Sequence, residues 1–318
     1  MSTPNPNEPY WERSVLEKMA LAAIREQRSA RRWGIFFKLC ILAYVSIILV
    51  MSLGLFNRHD MTGSSGHTAM VEINGVIAAG GQASADKIIG ALQSAFKDKG
   101  TKGVILRINS PGGSPVQAGQ VYDEIKRLRA KHPEIPLYAV LEDVCASGGY
   151  YIAAAADKIF VDKASIVGSI GVLMDGFGFT GTMDKLGVER RLLTAGDNKG
   201  FLDPFSPVSE AQQAHARTML EDIHKQFIEV VRKGRGKRLK ETPEMFSGLL
   251  WVGQKSIDLG LADAMGSLDK VARDVIQAED IVDYTLQENI AERVARRFGA
   301  AMADTLAKVA LGSGPVLR

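Results

Sequence analysis

Two apolar runs, each ending in a glycine pair, constrain this chain most. Residues 103–109 are apolar and β-branched and lead into Ser110-Pro-Gly-Gly-Ser-Pro115. Residues 136–142 have the same character and lead into Asp143-Val-Cys-Ala-Ser147-Gly-Gly149. A helical pattern follows each turn: 116–132 after the first, and the alanine-rich 152–156 after the second, which Ser147 opens. Ser114 and Pro115 suit the N-cap and first turn of the former. Strands alternating with helices argue for parallel βαβ units and an α/β class. In such a sheet both glycine turns reach the carboxyl edge, where ligands bind.

The surrounding pattern extends this order. A strand is expected at 70–77, with Gly75 as a bulge. Ser84 caps a helix whose Ile88, Ile89, Leu92 and Phe96 recur at helical spacing, ending at Gly100. A short strand is expected at 159–161 and a weaker one at 281–286. Ser209 and Gln212 form a capping box before a long helix with the stripe Met219, Leu220, Ile223, Phe227 and Val230, read as core or subunit contact. Residues 232–240 are basic and read as a solvated helix end; no aromatic residues interleave, so nucleic acid is not expected. A net charge of +3 on 318 residues agrees. Two cysteines, Cys40 and Cys145, make no disulfide framework, and no histidine spacing suggests a metal site.

Ahead of this lies a different kind of segment. Residues 1–10 are polar and proline-containing, and 11–32 form an amphipathic helical pattern that suits either a membrane surface or a solvated helix. From Leu39 to Phe56 there is no charge. The run 33–56 has the length to cross a bilayer as a helix, and no small-x-small cleavage site follows it. Arg25, Arg28, Arg31, Arg32 and Lys38 precede the charge-free stretch, and Arg58 with Asp60 follows it, so the positive-inside rule puts residues 1–32 in the cytoplasm. The expected division is then 1–32 cytoplasmic, 33–56 transmembrane, 57–68 linker, 69–287 extracytoplasmic domain and 288–318 a C-terminal helix and tail.

The chemistry centres on Ser147. It reads either as a helix N-cap or as a hydroxyl presented at a strand-to-helix turn. Gly112, Gly113 and Gly148 offer unobstructed amides of the kind that stabilise an oxyanion. None of His59, His67, His132, His215 and His224 is placed by sequence to serve as its base. A lysine held neutral by desolvation can take that role, but from spacing alone Lys199 reads as a solvated loop residue. Gly176-Phe-Gly-Phe-Thr-Gly181 fits a dinucleotide fingerprint but follows no first strand, so it reads as a flexible loop. Two S-x-x-K matches, at Ser94 and Ser267, read as chance.

Four motifs taken together resemble the bacterial signal peptide peptidase family A, the S49 serine peptidases, in its short single-copy form. They are Arg107-Ile-Asn-Ser-Pro-Gly-Gly-Ser114, Ala146-Ser-Gly-Gly-Tyr-Tyr151, Val167-Gly-Ser-Ile-Gly-Val172, and Gly253 through Gly260-Leu-Ala-Asp263. The resemblance covers about 70–275 and the N-terminal anchor. It implies a crotonase/ClpP-like fold of repeated β-β-α units behind a single transmembrane helix, and a Ser–Lys dyad. It implies Ser147 as nucleophile, Lys199 as general base, Gly113 and Gly148 as oxyanion donors, and Ser169 as the residue orienting the lysine. The family often shows Gly-x-Tyr-Lys where this chain has Gly-Asp-Asn-Lys, with Asn198 in place of tyrosine. It also implies signal peptide remnants as substrates, the bilayer and a ring of like subunits as partners, and no cofactor. Lys199 would then meet Ser147 across a subunit boundary. The competing readings are a crotonase-type acyl-CoA enzyme and a non-catalytic membrane scaffold.

Overall fold

The structure, a computed structural model, describes residues 11–52 and 66–286. The expected N-terminal tail, most of the linker and the C-terminal helix and tail lie outside these residues. Two units are present, and α1 (Trp11–Ser52) belongs to the first. It is a continuous helix of 42 residues. Trp33, Phe36 and Phe37 contact one another along it, with ring centroids 5.7–5.9 Å apart, and all three are exposed. Among the described residues no helix is long and apolar enough to cross a membrane. The expected span runs on through 53–56, outside those residues.

The second unit, Ser64–Gln287, is built on an eight-stranded sheet. Its strands are β1 (His67–Asn74), β2 (Thr101–Ser110), β3 (Leu137–Ala146), β4 (Lys158–Val161), β5 (Ile166–Gly168), β6 (Leu250–Val252), β7 (Ala264–Met265) and β8 (Ile281–Asp283). The main path is β6-β5-β3-β2-β1-β8. All pairings are parallel except β5 with β6. At β3 the sheet forks. Its first half, Tyr138 to Leu141, pairs with β4, and its second half, Val144 to Ala146, pairs with β5. The fork carries β3 beyond its neighbour β4 and leaves its end, with the Ser147 turn, framed by β2 and β5.

One face of the sheet is covered by α2 (Ala85–Lys97), α3 (Pro115–Lys131) and α4 (Gly148–Ala153). Val71, Leu106 and Ala139 on the strands and Leu92, Ile125 and Ile152 on the helices are fully buried in one cluster. The valine, leucine and isoleucine side chains among these each stabilise the fold by about 1.5–3 kcal/mol on burial. The other face is covered only in part. There Val271 and Ala272, in a short π-helical stretch Val271–Ile276, close over Ile105, Val140 and Phe160. Farther along that face Arg107 pairs with Glu142 at 2.6 Å and approaches Glu72 at 3.9 Å.

Several local expectations are corrected. Ser84 occupies the N-cap of α2, but its hydroxyl makes no capping bond; the Gln117 side-chain oxygen accepts the Ala85 amide at 2.8 Å instead. Gly75 is no bulge: it turns the chain just beyond β1 with φ +81°, and the irregularity lies between His67 and Thr68. His67 is not a linker residue either, because it opens β1 and is buried beside Tyr284. On α6 (Glu210–Arg235) only Phe227 of the expected apolar stripe is buried; Val231, beside the stripe's Val230, is buried in its place. The basic run 232–240 is not wholly solvated. Arg235 is 1% exposed and lies against Asp263, with Nη2 2.8 Å from Oδ1.

Candidate functional site

β2 and β3 are adjacent and parallel, so their terminal turns meet at one edge of the sheet. The first turn is pinned by Ser110, whose hydroxyl donates to the Gly75 carbonyl at 2.6 Å and accepts the Gly112 amide at 3.1 Å. Gly112 and Gly113 then run at φ +100° and +149°, a region that side-chain-bearing residues avoid. A Cβ on Gly113 would stand 2.1 Å from the Ile77 carbonyl oxygen. A Cβ on Gly112 would stand 2.7 Å from both the Gly148 nitrogen and the Ser147 Cβ. The glycine pair is therefore what allows the first turn to lie directly on the second.

Ser147 sits at that contact with φ 51° and ψ −123°. This is neither helix nor strand, and it costs an L-residue roughly 1–3 kcal/mol. Its backbone is held from both sides: the amide donates to the Gly168 carbonyl at 2.9 Å, and the carbonyl accepts the Tyr151 amide at 2.9 Å. Its hydroxyl makes no capping bond to α4, which removes the N-cap reading. A methyl group on Gly148 would lie 3.3 Å from the Gly113 nitrogen, so the two amides are close neighbours. Among the described residues neither amide donates a hydrogen bond. The turn thus offers a half-exposed hydroxyl beside two unsatisfied donors. Such a group can attack a carbonyl and stabilise the resulting oxyanion.

The flanking strand β5 brings Ser169 to the same edge. Ser169 has φ 50°, and its amide donates to the Leu249 carbonyl at 2.8 Å. Next to it the Ile170 carbonyl lies 3.1 Å from His224 Nε2. Sequence spacing had kept His224 away from this edge, but the long α6 carries it back to the β5 end, where it meets backbone.

Lys199 behaves differently. It lies in a turn, its amide donating to the Gly196 carbonyl at 3.1 Å, and its side chain is exposed. Among the described residues no hydrogen bond or ion pair joins it to Ser147 or Ser169. Its whole segment is unburied: Leu173, Phe177 and Leu193 are each at least 80% exposed. The segment closes on itself through Phe179 stacked on Phe205, and Arg190 paired with Asp203 at 3.1 Å.

Behind the turn, sequence reasoning missed a second group. Tyr150 is fully buried, and its hydroxyl donates to the Leu261 carbonyl at 2.8 Å. Cys145 is also fully buried, and burial pushes its thiol pKa up, away from reactivity. A separate groove opens at the sheet fork, lined in part by Glu142, Asp162, Ser165 and Lys270; Ser147 is not in its lining.

Residues 129–281 match Peptidase family S49. The chain is 30% identical over 199 residues to a protein of Synechocystis sp. named as a protease, covering 69% of it and 63% of this chain. It is 30% identical over 226 residues to a protein of Enterococcus faecium named for signal peptide peptidase SppA, covering 65% of it and 69% of this chain. It is 41% identical over 224 residues to a Brucella melitensis protein named Na(+)/H(+) antiporter NhaA, covering 30% of it and 66% of this chain. The chain thus spans less than two thirds of the last two.

Proposed function

This chain belongs to peptidase family S49, and from that premise we propose that it is a serine endopeptidase with Ser147 as nucleophile. The observation that carries the reading is the strained Ser147, its hydroxyl free of any capping bond, beside the unsatisfied amides of Gly113 and Gly148. The Ser147 oxygen attacks a peptide carbonyl, and its proton passes to the neutral amine of Lys199. The oxyanion is held by the Gly113 and Gly148 amides. As the C–N bond breaks, the lysine returns its proton to the leaving amine and an acyl-serine remains. Water then attacks the acyl carbonyl as the same lysine takes its proton, and the lysine passes that proton to the departing Ser147 oxygen, freeing the acid and restoring the serine.

The exposed Lys199 belongs, in this reading, to a neighbouring copy of the chain. The unburied segment around Leu173, Phe177 and Leu193 supports it, since a contact between copies would cover those side chains. Ser169 orients the incoming lysine. The fold is read as crotonase/ClpP-like, with the fork at β3 as its mark. The unbroken α1 and the charge-free run from Leu39 to Phe56, most of which lies within it, support a membrane anchor, with the catalytic unit outside the cytoplasm. An enzyme so tethered meets signal peptide remnants by geometry. The antiporter match covers too little of that protein to suggest transport.

The test is a serine-reactive phosphonate probe. Covalent labelling that maps to Ser147, and is lost with peptide cleavage in Ser147→Ala, is expected. Cleavage that persists in the variant would assign the attack to another group.

A further inference from the structure

The short helix that follows Ser147 is held by a buried chain of contacts. Tyr150, three residues beyond Ser147, is fully buried, and its hydroxyl donates to the Leu261 carbonyl at 2.8 Å. Leu261 belongs to Gly260-Leu-Ala-Asp263, a loop clamped from α6. Arg235 Nε donates to the Gly260 carbonyl at 2.8 Å, and its Nη1 donates to Asp263 Oδ2 at 2.9 Å. Arg238 adds an exposed contact to Asp263 Oδ1 at 3.1 Å. A Cβ on Gly260 would stand 1.8 Å from the Arg238 carbonyl oxygen, so the loop lies flat against the end of α6. Asp263 also ties in β4, accepting the Ile159 amide at 2.7 Å while its own amide donates back to Ile159 at 2.8 Å.

We propose that Tyr150 is a positioning residue: its hydroxyl, received by the loop that Arg235 clamps, sets how far α4 stands from the Gly112–Gly113 turn. This rests on the peptidase reading of Ser147. A helix of six residues has little stability of its own, so its placement must come from tertiary contacts. Tyr150 is its one side chain with a polar anchor among the described residues. Without the hydroxyl the ring still fills its site, but α4 is free to slide along its axis. The Gly148 amide slides with it, away from the Gly113 amide. A donor displaced by a few tenths of an ångström binds the peptide carbonyl nearly as before but stabilises the oxyanion less.

The experiment uses full-length protein carrying Tyr150→Phe, with active sites counted by the phosphonate probe. Expected are a kcat per labelled site lowered roughly tenfold, a KM within about twofold of wild type, and an unshifted pH midpoint, since the base is untouched. Ile88→Val, which trims the core under α2, supplies a control with a similarly lowered Tm and unchanged kcat per site. Should Tyr150→Phe not fold, Asp263→Asn loosens the same clamp and is expected to give the same split. A kcat per labelled site equal to wild type, in whichever variant is measured, overturns the positioning role and leaves the peptidase reading intact. A wild type that the probe does not label overturns both.

Discussion

The strain at Ser147 should be measurable as stability that the protein forgoes. At φ 51° and ψ −123° any residue with a Cβ pays roughly 1–3 kcal/mol, and glycine does not. Glycine in turn loses about 0.4–1 kcal/mol through the greater freedom of its unfolded chain. The difference leaves Ser147→Gly more stable than Ser147→Ala by about 1 kcal/mol. For a unit of this size that is roughly 2–4 °C in Tm. Ser147→Ala itself should match wild type within ~0.5 kcal/mol, because the serine hydroxyl makes no capping bond that its loss would leave unpaired. Both variants lose peptide cleavage by about 10⁴-fold or more. Thermal and urea unfolding of the purified proteins, beside turnover of a fluorogenic peptide, give all the quantities. A glycine variant no more stable than the alanine variant refutes the strain argument, whatever happens to activity.

Gly113→Ala should keep the protein soluble but lower kcat/KM by roughly 10²–10³-fold, because its Cβ meets the Ile77 carbonyl and pushes an oxyanion donor aside; near-normal kinetics would remove that amide from the mechanism. Asp263 has its own pH signature. Burial opposes its ionisation most strongly, but the Arg235 guanidinium, the Ile159 amide and Arg238 together outweigh it and hold its carboxyl below the usual range. The stability this contributes is present above the unfolded pKa of about 3.9 and is lost as pH falls through the lower folded value. Asp263→Asn should therefore cost roughly 3 kcal/mol near neutrality and progressively less below about pH 4, read by urea unfolding across that range; a pH-independent cost would count against the ion pair. Separately purified Ser147→Ala and Lys199→Ala proteins should each be inactive and regain a fraction of activity when co-assembled; verified mixed oligomers that stay silent would place both groups in one chain.

The sheet was legible because its central strands announce themselves locally. Residues 103–109 and 136–142 are apolar and β-branched, each ends at a glycine turn, and β2 and β3 stand there. What sequence could not give is the fork. That β4 and β5 share one partner depends on β3 being ten residues long while β4 has four and β5 three, a matter of register rather than local preference. The Arg235–Asp263 pair was hidden for a related reason. Arg235 stands in a run of like charges, Arg232 to Lys240, where periodicity predicts solvent, and its partner lies 28 residues away. Its burial comes from the fold closing over the end of α6.

The site divides along the same line. Ser147, Gly113 and Gly148 were readable because a strand, a tight turn and a helix dictate where they go, and their geometry is complete within one chain. Lys199 is set by no such element. Its neighbours Leu192 and Leu193 are apolar, yet they face solvent, at 44% and 95% exposure. A folded unit that buries Leu106 and Ile125 completely has no need to leave such residues bare. The contrast between a complete Ser147 turn and an exposed Lys199 segment fits the proposed second copy of the chain: a surface that covered Leu193 would also carry the lysine out of solvent, where an amine can stay neutral. Covering variants offer a direct check, since Leu193→Asp should separate the copies and abolish cleavage while leaving the fold of the single chain, and the strain at Ser147, unchanged.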